Sequence, residues 1–210
     1  MIEPTWRTFS VSGADARSYL QGQLTQDLAD GDAPRWSLLL QPDSIVIATA
    51  YVELGETVFV SVPAGVAEQA MVRLRRFVLR ADVQFEERDP HVVPRSLDEL
   101  YALPWPHDDE LTQGLLPHSY GAAVIGATVS FSKGCYTGQE LVGRLDARGG
   151  NTPWRLARSP ILSSLEDVVS WFGAGPDGPK GLTRHREVLT PEGPRFQGLG
   201  IAHRSQVASA

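Results

Sequence analysis

Cysteine is nearly missing from this chain. The single thiol is Cys135. No intrachain disulfide can form, so nothing points to an oxidising compartment. One thiolate also cannot build a zinc or iron–sulfur site within one chain. Lysine is almost as scarce: of 19 basic residues, only Lys133 and Lys180 are not arginine. A lysine inside a motif therefore carries information. Positive charge is short overall, with a net charge of −6. That balance argues against a protein that binds nucleic acid by bulk electrostatics. Long apolar runs are absent, and none approaches the roughly 20 residues of a membrane span. The opening Met1-Ile-Glu-Pro-Thr-Trp6 has neither a basic start nor an apolar stretch, as a signal peptide would. A cytoplasmic protein is expected.

What remains is ordinary globular material. The chain has 210 residues, 42% apolar and 21% charged, enough to bury a core. Phe9 and Val11 alternate with polar neighbours, as in a half-buried strand. Ala16, Tyr19 and Leu20 fall at helical spacing after Ser12-Gly13, with Ser12 and Asp15 as capping residues. Apolar runs at 36–40 and 45–52 flank the turn Gln41-Pro42-Asp43-Ser44. A strand at 57–62 follows. Val66, Ala70, Leu74 and Phe77 mark a second helix, and Val83 and Phe85 a last strand. The order β-α-β-β-β-α-β suits a ferredoxin-like α+β unit over residues 1–89.

Residues 90–117 change character. Positions 86–110 hold eight acidic residues and two arginines, and prolines interrupt the stretch. It reads as an acidic, proline-rich linker or surface loop. A motif region spans 118–160. The last part, 161–210, reads as a small β-rich lobe. It holds a helix capped by Ser164 with Asp167, a Gly/Pro loop, and a hairpin of 188–189 with 196–201. Gly173-Ala-Gly175-Pro-Asp-Gly178 matches a dinucleotide-binding pattern formally. It follows a helix and precedes Pro179, which excludes that reading. Arg73, Arg75, Arg76 and Arg80 form either a solvated helix face or a partner patch. Arg184-His185-Arg186 is open in the same way.

The densest chemistry lies in Lys133-Gly134-Cys135-Tyr136-Thr137-Gly138-Gln139-Glu140. Two glycines permit tight backbone turns. Around them stand a cation, a thiol, a phenol, a hydroxyl, an amide and a carboxylate, more polar groups than a core element needs. A thiol beside a cation is a candidate for activation as a thiolate; a small buried hydrophobe is the plainer reading.

This string resembles the motif of the YgfZ family, the folate-binding branch of the glycine-cleavage T-protein superfamily, without a mismatch. Val129-Ser130-Phe131 resembles the family's apolar lead-in strand, and Arg144 and Arg148-Gly149 its later arginine positions. Upstream, Gly13-Ala14-Asp15 and Gly22-Gln23-Leu24-Thr25-Gln26-Asp27 resemble its first helix. Leu115-Leu116-Pro117 resembles the segment before the motif. Trp6 stands where the family has a tryptophan associated with folate. The likeness covers roughly 5–89 and 111–150.

The resemblance implies a T-protein-like fold and tetrahydrofolate, or a derivative, as cofactor. It implies that Trp6 stacks on the ligand and that Glu140 holds the pterin edge. A carboxylate accepting two parallel N–H bonds suits that edge. Gln139, Tyr136, Arg144 and Arg148 are the further candidate cofactor-binding residues. Cys135, with Lys133, is the candidate reactive pair. The family's link to iron–sulfur protein maturation or repair and to tRNA modification implies iron–sulfur proteins as partners. Two departures bear on this. The middle region is shorter than in the family, with Trp105 as the one substitute for a second folate-associated tryptophan. Thr49 stands where aminomethyltransferases carry a catalytic Asp, and a hydroxyl cannot serve as that base. Folate binding without aminomethyl transfer is expected. The rivals are a folate-dependent one-carbon transferase and an interaction module that has lost its ligand.

Overall fold

The computed structural model describes residues 5–89, 99, 104–173 and 181–207. The first strand, β1 (Trp6–Ser12), is followed by α1 (Ala16–Gln23), β2 (Arg35–Leu40), β3 (Val46–Glu53) and β4 (Val58–Pro63). Next come α2 (Ala67–Arg76) and β5 (Gln84–Arg88). The five strands form one sheet in the order β2-β3-β4-β1-β5, every neighbouring pair antiparallel. The element order is the one the periodicity predicts.

Strand alternation gives this sheet two unlike faces. Phe9, Val11, Val58, Val60, Val62, Ala50 and Val52 share the apolar one and are buried. The helices cover it: the Tyr19 ring meets Phe85 edge-on, and its hydroxyl donates to the Leu74 carbonyl. The other face carries Trp6, Thr8, Trp36, Thr49, Tyr51 and Ser61. Thr8 and Ser61 share a buried hydrogen bond of 2.8 Å.

The polar face is covered by residues 105–111, and here the expectation of a linker fails. Trp105 and Glu110 are fully buried, and His107, Leu111 and Leu115 nearly so. A short helix, α3 (Asp108–Leu111), lies in this stretch. Trp105 packs on Trp36 at 4.9 Å between ring centroids, and His107 meets Trp6 at 4.8 Å. Two of the acidic residues that suggested a solvated loop, Asp108 and Glu110, have internal partners, while Asp109 is exposed. Asp108 accepts from the Gly65 N–H at 2.8 Å. Glu110 takes Arg184 through two bonds of 3.0 Å, the Thr183 hydroxyl and the His107 N–H. Residues 90–98 and 100–103 lie outside the described residues.

The chain continues through a 3-10 turn (Pro117–Tyr120), α4 (Ala122–Thr128) and α5 (Gln139–Asp146). It ends with β6 (Trp154–Arg158), α6 (Leu165–Phe172), β7 (Leu182–Thr190), β8 (Gly193–His203) and α7 (Arg204–Val207). A second antiparallel sheet has the order β6-β8-β7. Ser164 caps α6 by accepting from the Asp167 N–H at 3.1 Å. This sheet is no detached lobe: Leu156, Leu199 and Ile201 belong to the main core. Only Ala157, Val168, Phe172 and Ala202 form a cluster of their own. Residues 129–131, expected as a strand, are loop, because the Ser130 N–H goes to Thr25 rather than to a neighbouring strand. Among the described residues no helix is long and apolar enough to cross a membrane.

The Glu110–Arg184 pair fastens the covering segment to β7, and the Glu110 carboxylate is wholly enclosed. Arg184→Met leaves that charge buried and unpaired. We expect a loss of about 3–5 kcal/mol in urea unfolding, with most of it regained when Glu110→Leu is added. A loss under about 1 kcal/mol for Arg184→Met alone would mean that the pair behaves as a surface pair.

Candidate functional site

Helix α1 ends at Gln23, and the last carbonyls of any helix lack intrahelical partners. The motif loop supplies them. The Lys133 ammonium donates to the carbonyls of Gln21 at 2.5 Å, Leu24 at 2.7 Å and Gln26 at 2.9 Å. The Thr137 N–H donates to the Gly22 carbonyl at 3.1 Å. A cation at a helix C-terminus is also favoured by the helix dipole, and α1 has no basic residue of its own in its last turn. The two family-like segments, 22–27 and 133–140, are therefore two halves of one junction.

Gly138 sets the exit from the loop. Its φ is +84°, and a Cβ there would lie 2.6 Å from the Gln41 carbonyl oxygen. Only glycine combines that conformation with that approach. The Ser44 hydroxyl bonds the Gly138 carbonyl at 2.6 Å. Gln139 then opens α5, its side-chain oxygen accepting from the Tyr136 N–H at 3.1 Å. Tyr136 is buried beside the Lys133 ammonium, 5.2 Å from its ring centre. Burial pushes its phenol up to about 12.

Lys133, Tyr136, Gln139, Glu140 and Arg144 line a single cleft of about 290 Å³ together with Ser130, Phe131 and Gly143. Glu140 and Arg144 are four residues apart on α5 and form an exposed ion pair. Phe131 is 52% exposed. Cys135 is exposed on the same loop. Arg148 lies past the end of α5, exposed, and does not line the cleft among the described residues.

Two expected roles change. Trp6 is 6% exposed and is held between His107 and Trp36. Its edge reaches another cleft, shared with Arg7, Glu87, Arg88 and Asp89. It is an interior aromatic of the polar sheet face, so it does not join Glu140 at one ligand. Lys133 was expected to face the thiol, but its three N–H bonds are committed to carbonyls. Its role here is to hold the loop. Thr49 is fully buried, and its hydroxyl has no partner among the described residues.

Arg73 departs from the arginine run it belongs to, read as a solvated helix face or a partner patch. It is 5% exposed and donates to the Leu40 carbonyl and the Gln23 side chain, each at 3.0 Å. Thr137 reaches the same Gln23 oxygen at 3.5 Å. The signal was present: Arg73 follows Ala70 by three and precedes Phe77 by four, on the buried stripe of α2.

No family model matches the chain. An uncharacterised protein of Haemophilus influenzae (strain ATCC 51907 / DSM 11121 / KW20 / Rd) is 26% identical, the alignment covering 70% of this chain and 68% of that protein. Among solved structures, the glycine cleavage system aminomethyltransferase T from Bartonella henselae aligns with a TM-score of 0.55 and 13% identity, over 93% of this chain and 76% of that one. The mixed α+β architecture with antiparallel sheets is thus T-protein-like in fold.

Lys133 gives a test with a definite sign. Burial lowers its ammonium from the usual lysine range to about 8, with Asp27 opposing. The folded-state pKa is then below the unfolded one. Between about 8 and the ordinary lysine value of 10.5 the unfolded chain binds more protons, so stability from this group rises with pH across that window. Relative to Lys133→Met, the wild type should gain stability in denaturant unfolding from pH 8 to pH 10. A difference that stays flat or shrinks would contradict it.

Proposed function

We propose that this chain is a folate-binding protein that does not transfer aminomethyl groups and that serves iron–sulfur protein maturation or repair, as the YgfZ-like motif implies. The observation that carries the reading is the single cleft lined by Lys133, Tyr136, Gln139, Glu140 and Arg144. Its volume, about 290 Å³, stands at the low end for ligand pockets. It suits the flat head of a folate better than the whole molecule. The sheet order, with β3-β4-β1-β5 flanked by β2 at one edge, fits a ferredoxin-like unit with an added strand.

In this reading Glu140 exchanges Arg144 for the amino-pyrimidinone edge of the ligand. An exposed pair four apart on a helix is worth about 0.3–0.5 kcal/mol, whereas a hydrogen bond to a charged group is worth roughly 1.5–3 kcal/mol. The exchange is favourable on those magnitudes. Tyr136 and Phe131, not Trp6, offer ring surface at this cleft. The freed Arg144, with Arg148 one turn on, is available to an anionic tail. Aminomethyl transfer is not proposed, because Thr49 is buried and carries no charge. Cys135 stands exposed at the loop tip, where a partner protein can reach it. A free, accessible thiol fits a reducing compartment, and we place the protein in the cytoplasm.

A second reading has its own support. The polar sheet face, where Trp6 lies, is filled by Trp105 and His107 of the same chain, which favours an interaction module without a ligand. Calorimetry with tetrahydrofolate under anaerobic conditions separates the two. We expect saturable binding, weakened about tenfold or more by Glu140→Gln and unchanged by Trp6→Phe. No saturable binding at millimolar tetrahydrofolate would replace folate binding with the interaction-module reading.

A further inference from the structure

A second cleft, independent of the motif, lies against the β6–β8 end of the second sheet. It has a volume of about 600 Å³ and is lined by Asn151, Arg155, Arg204, Ser205 and Val207. That volume is within the usual range of small-molecule sites. Its position follows from local structure. Gly149 and Gly150 both adopt left-handed φ, +78° and +64°, and turn the chain from α5 to present Asn151. Arg155 sits in β6 opposite Ala202. Arg204 starts α7, tied by its N–H to the Pro153 carbonyl at 2.9 Å. Ser205 is oriented by the His203 ring at 2.8 Å.

The charge pattern is the informative part. Acidic residues outnumber Lys and Arg 25 to 19; some arginines pair with a carboxylate, while others, Arg75 and Arg148 among them, have none within ion-pair distance among the described residues. Arg7, Arg17, Arg88, Arg144, Arg184 and Arg195 are paired. Arg155 and Arg204 are not: among the described residues, no carboxylate comes within ion-pair distance of either. The Arg155 guanidinium has one long bond, 3.4 Å, to the Gly150 carbonyl. Two arginines thus line one cleft whose described lining contains no acid, in a chain of net negative charge. A hydroxyl and a carboxamide stand beside them.

We propose that this cleft binds a small oxyanion, a phosphate or carboxylate group, through the Arg155 and Arg204 guanidinium forks, with Asn151 and Ser205 as neutral hydrogen-bonding partners. Guanidinium is the side chain best matched to that ligand, because its planar donors meet two oxygens at once.

The test is an amide-resonance titration of the full chain in separate arms with inorganic pyrophosphate and with succinate. Sodium chloride at equal ionic strength is the reference. Saturable shifts at Asn151, Arg155 and Ser205 are expected in one or both arms. The arm that responds identifies phosphate or carboxylate, and both responding identifies the shared oxyanion. Arg155→Gln and Arg204→Gln should each weaken binding about tenfold. Arg195→Gln, a surface arginine elsewhere, should leave it unchanged. Linear shifts reproduced by sodium chloride, no shifts in either arm, or equal weakening by Arg195→Gln would overturn the proposal. Tetrahydrofolate plays no part in these measurements, so they stand or fall apart from the reading of the motif cleft.

Discussion

The Lys133 ammonium is the charged tie between the motif loop and the first half of the chain, beside the N–H bonds of Ser130 and Thr137. Lys133 places its three N–H bonds on carbonyls at and just beyond the end of α1. Those carbonyls need partners because the helix stops there. The loop needs an anchor because it has no secondary structure of its own between 129 and 136. One side chain meets both needs, and the rest of the site follows from it. Thr137 docks on Gly22, Gly138 presses on the Gln41 carbonyl, and α5 starts at a fixed point with Glu140 and Arg144 on its exposed side. A neutral residue at position 133 would strand acceptors that water reaches poorly, and leaving a buried acceptor unpaired costs about 1–3 kcal/mol.

Four charged groups withdrawn from solvent are handled here in three ways, and the difference tells structure from function. Glu110 and Arg184 neutralise each other inside the protein, an arrangement that specifies how the covering segment meets β7 more than it stabilises the fold. Among the described residues, no carboxylate lies within ion-pair distance of Lys133, which relies on carbonyl dipoles. Arg73 relies on a carbonyl, an amide oxygen and the face of Phe77, 4.2 Å from the guanidinium carbon, and burial lowers its pKa. The first solution closes a pair. The other two leave net positive charge inside the molecule, both at the junction beneath the motif.

The elements of the first sheet were legible because its strands either alternate, as β1 does, or form apolar runs buried on both faces, as β2 and β3 do, and each helix has an apolar stripe. Phe9, Val11, Ala16, Tyr19 and Leu20 lie where their spacing puts them. The acidic, proline-rich stretch was misread for a physical reason: composition records how many charges there are and not whether each has a partner. Asp108 and Glu110 look solvated until Gly65 and Arg184, distant in sequence, come to meet them. The site was legible in part. The grouping of Lys133, Tyr136, Gln139, Glu140 and Arg144 follows from closeness along the chain and one helical turn. The separation of Trp6 from Glu140 could not be read, because it depends on which face of the sheet Trp6 occupies and on what 105–111 bury. The direction of Lys133 was hidden likewise, since two residues along a loop from Cys135 says nothing about where a four-carbon stem points.

The positions of the charges also bear on what the motif cleft can hold. Lys133 lies partly buried in its wall with Arg73 buried behind the junction, so their field is screened less than that of a surface pair. Glu140 stands at the exposed side, where solvent screens it and Arg144 already answers it. With Glu140 drawn away from Arg144 by a ligand, the cleft would be positive toward the protein and negative toward the rim. A neutral ligand gains from such a gradient only if it carries acceptors on one edge and donors on the other. An aminopyrimidinone ring does, with its carbonyl opposite in character to its amino-N–H edge. A purely apolar ring gains nothing from it. The same gradient disfavours an anionic group bound beside Glu140, so the charged tail of a folate-like molecule would have to leave the cleft along α5 toward Arg144 and Arg148, not lie across the rim.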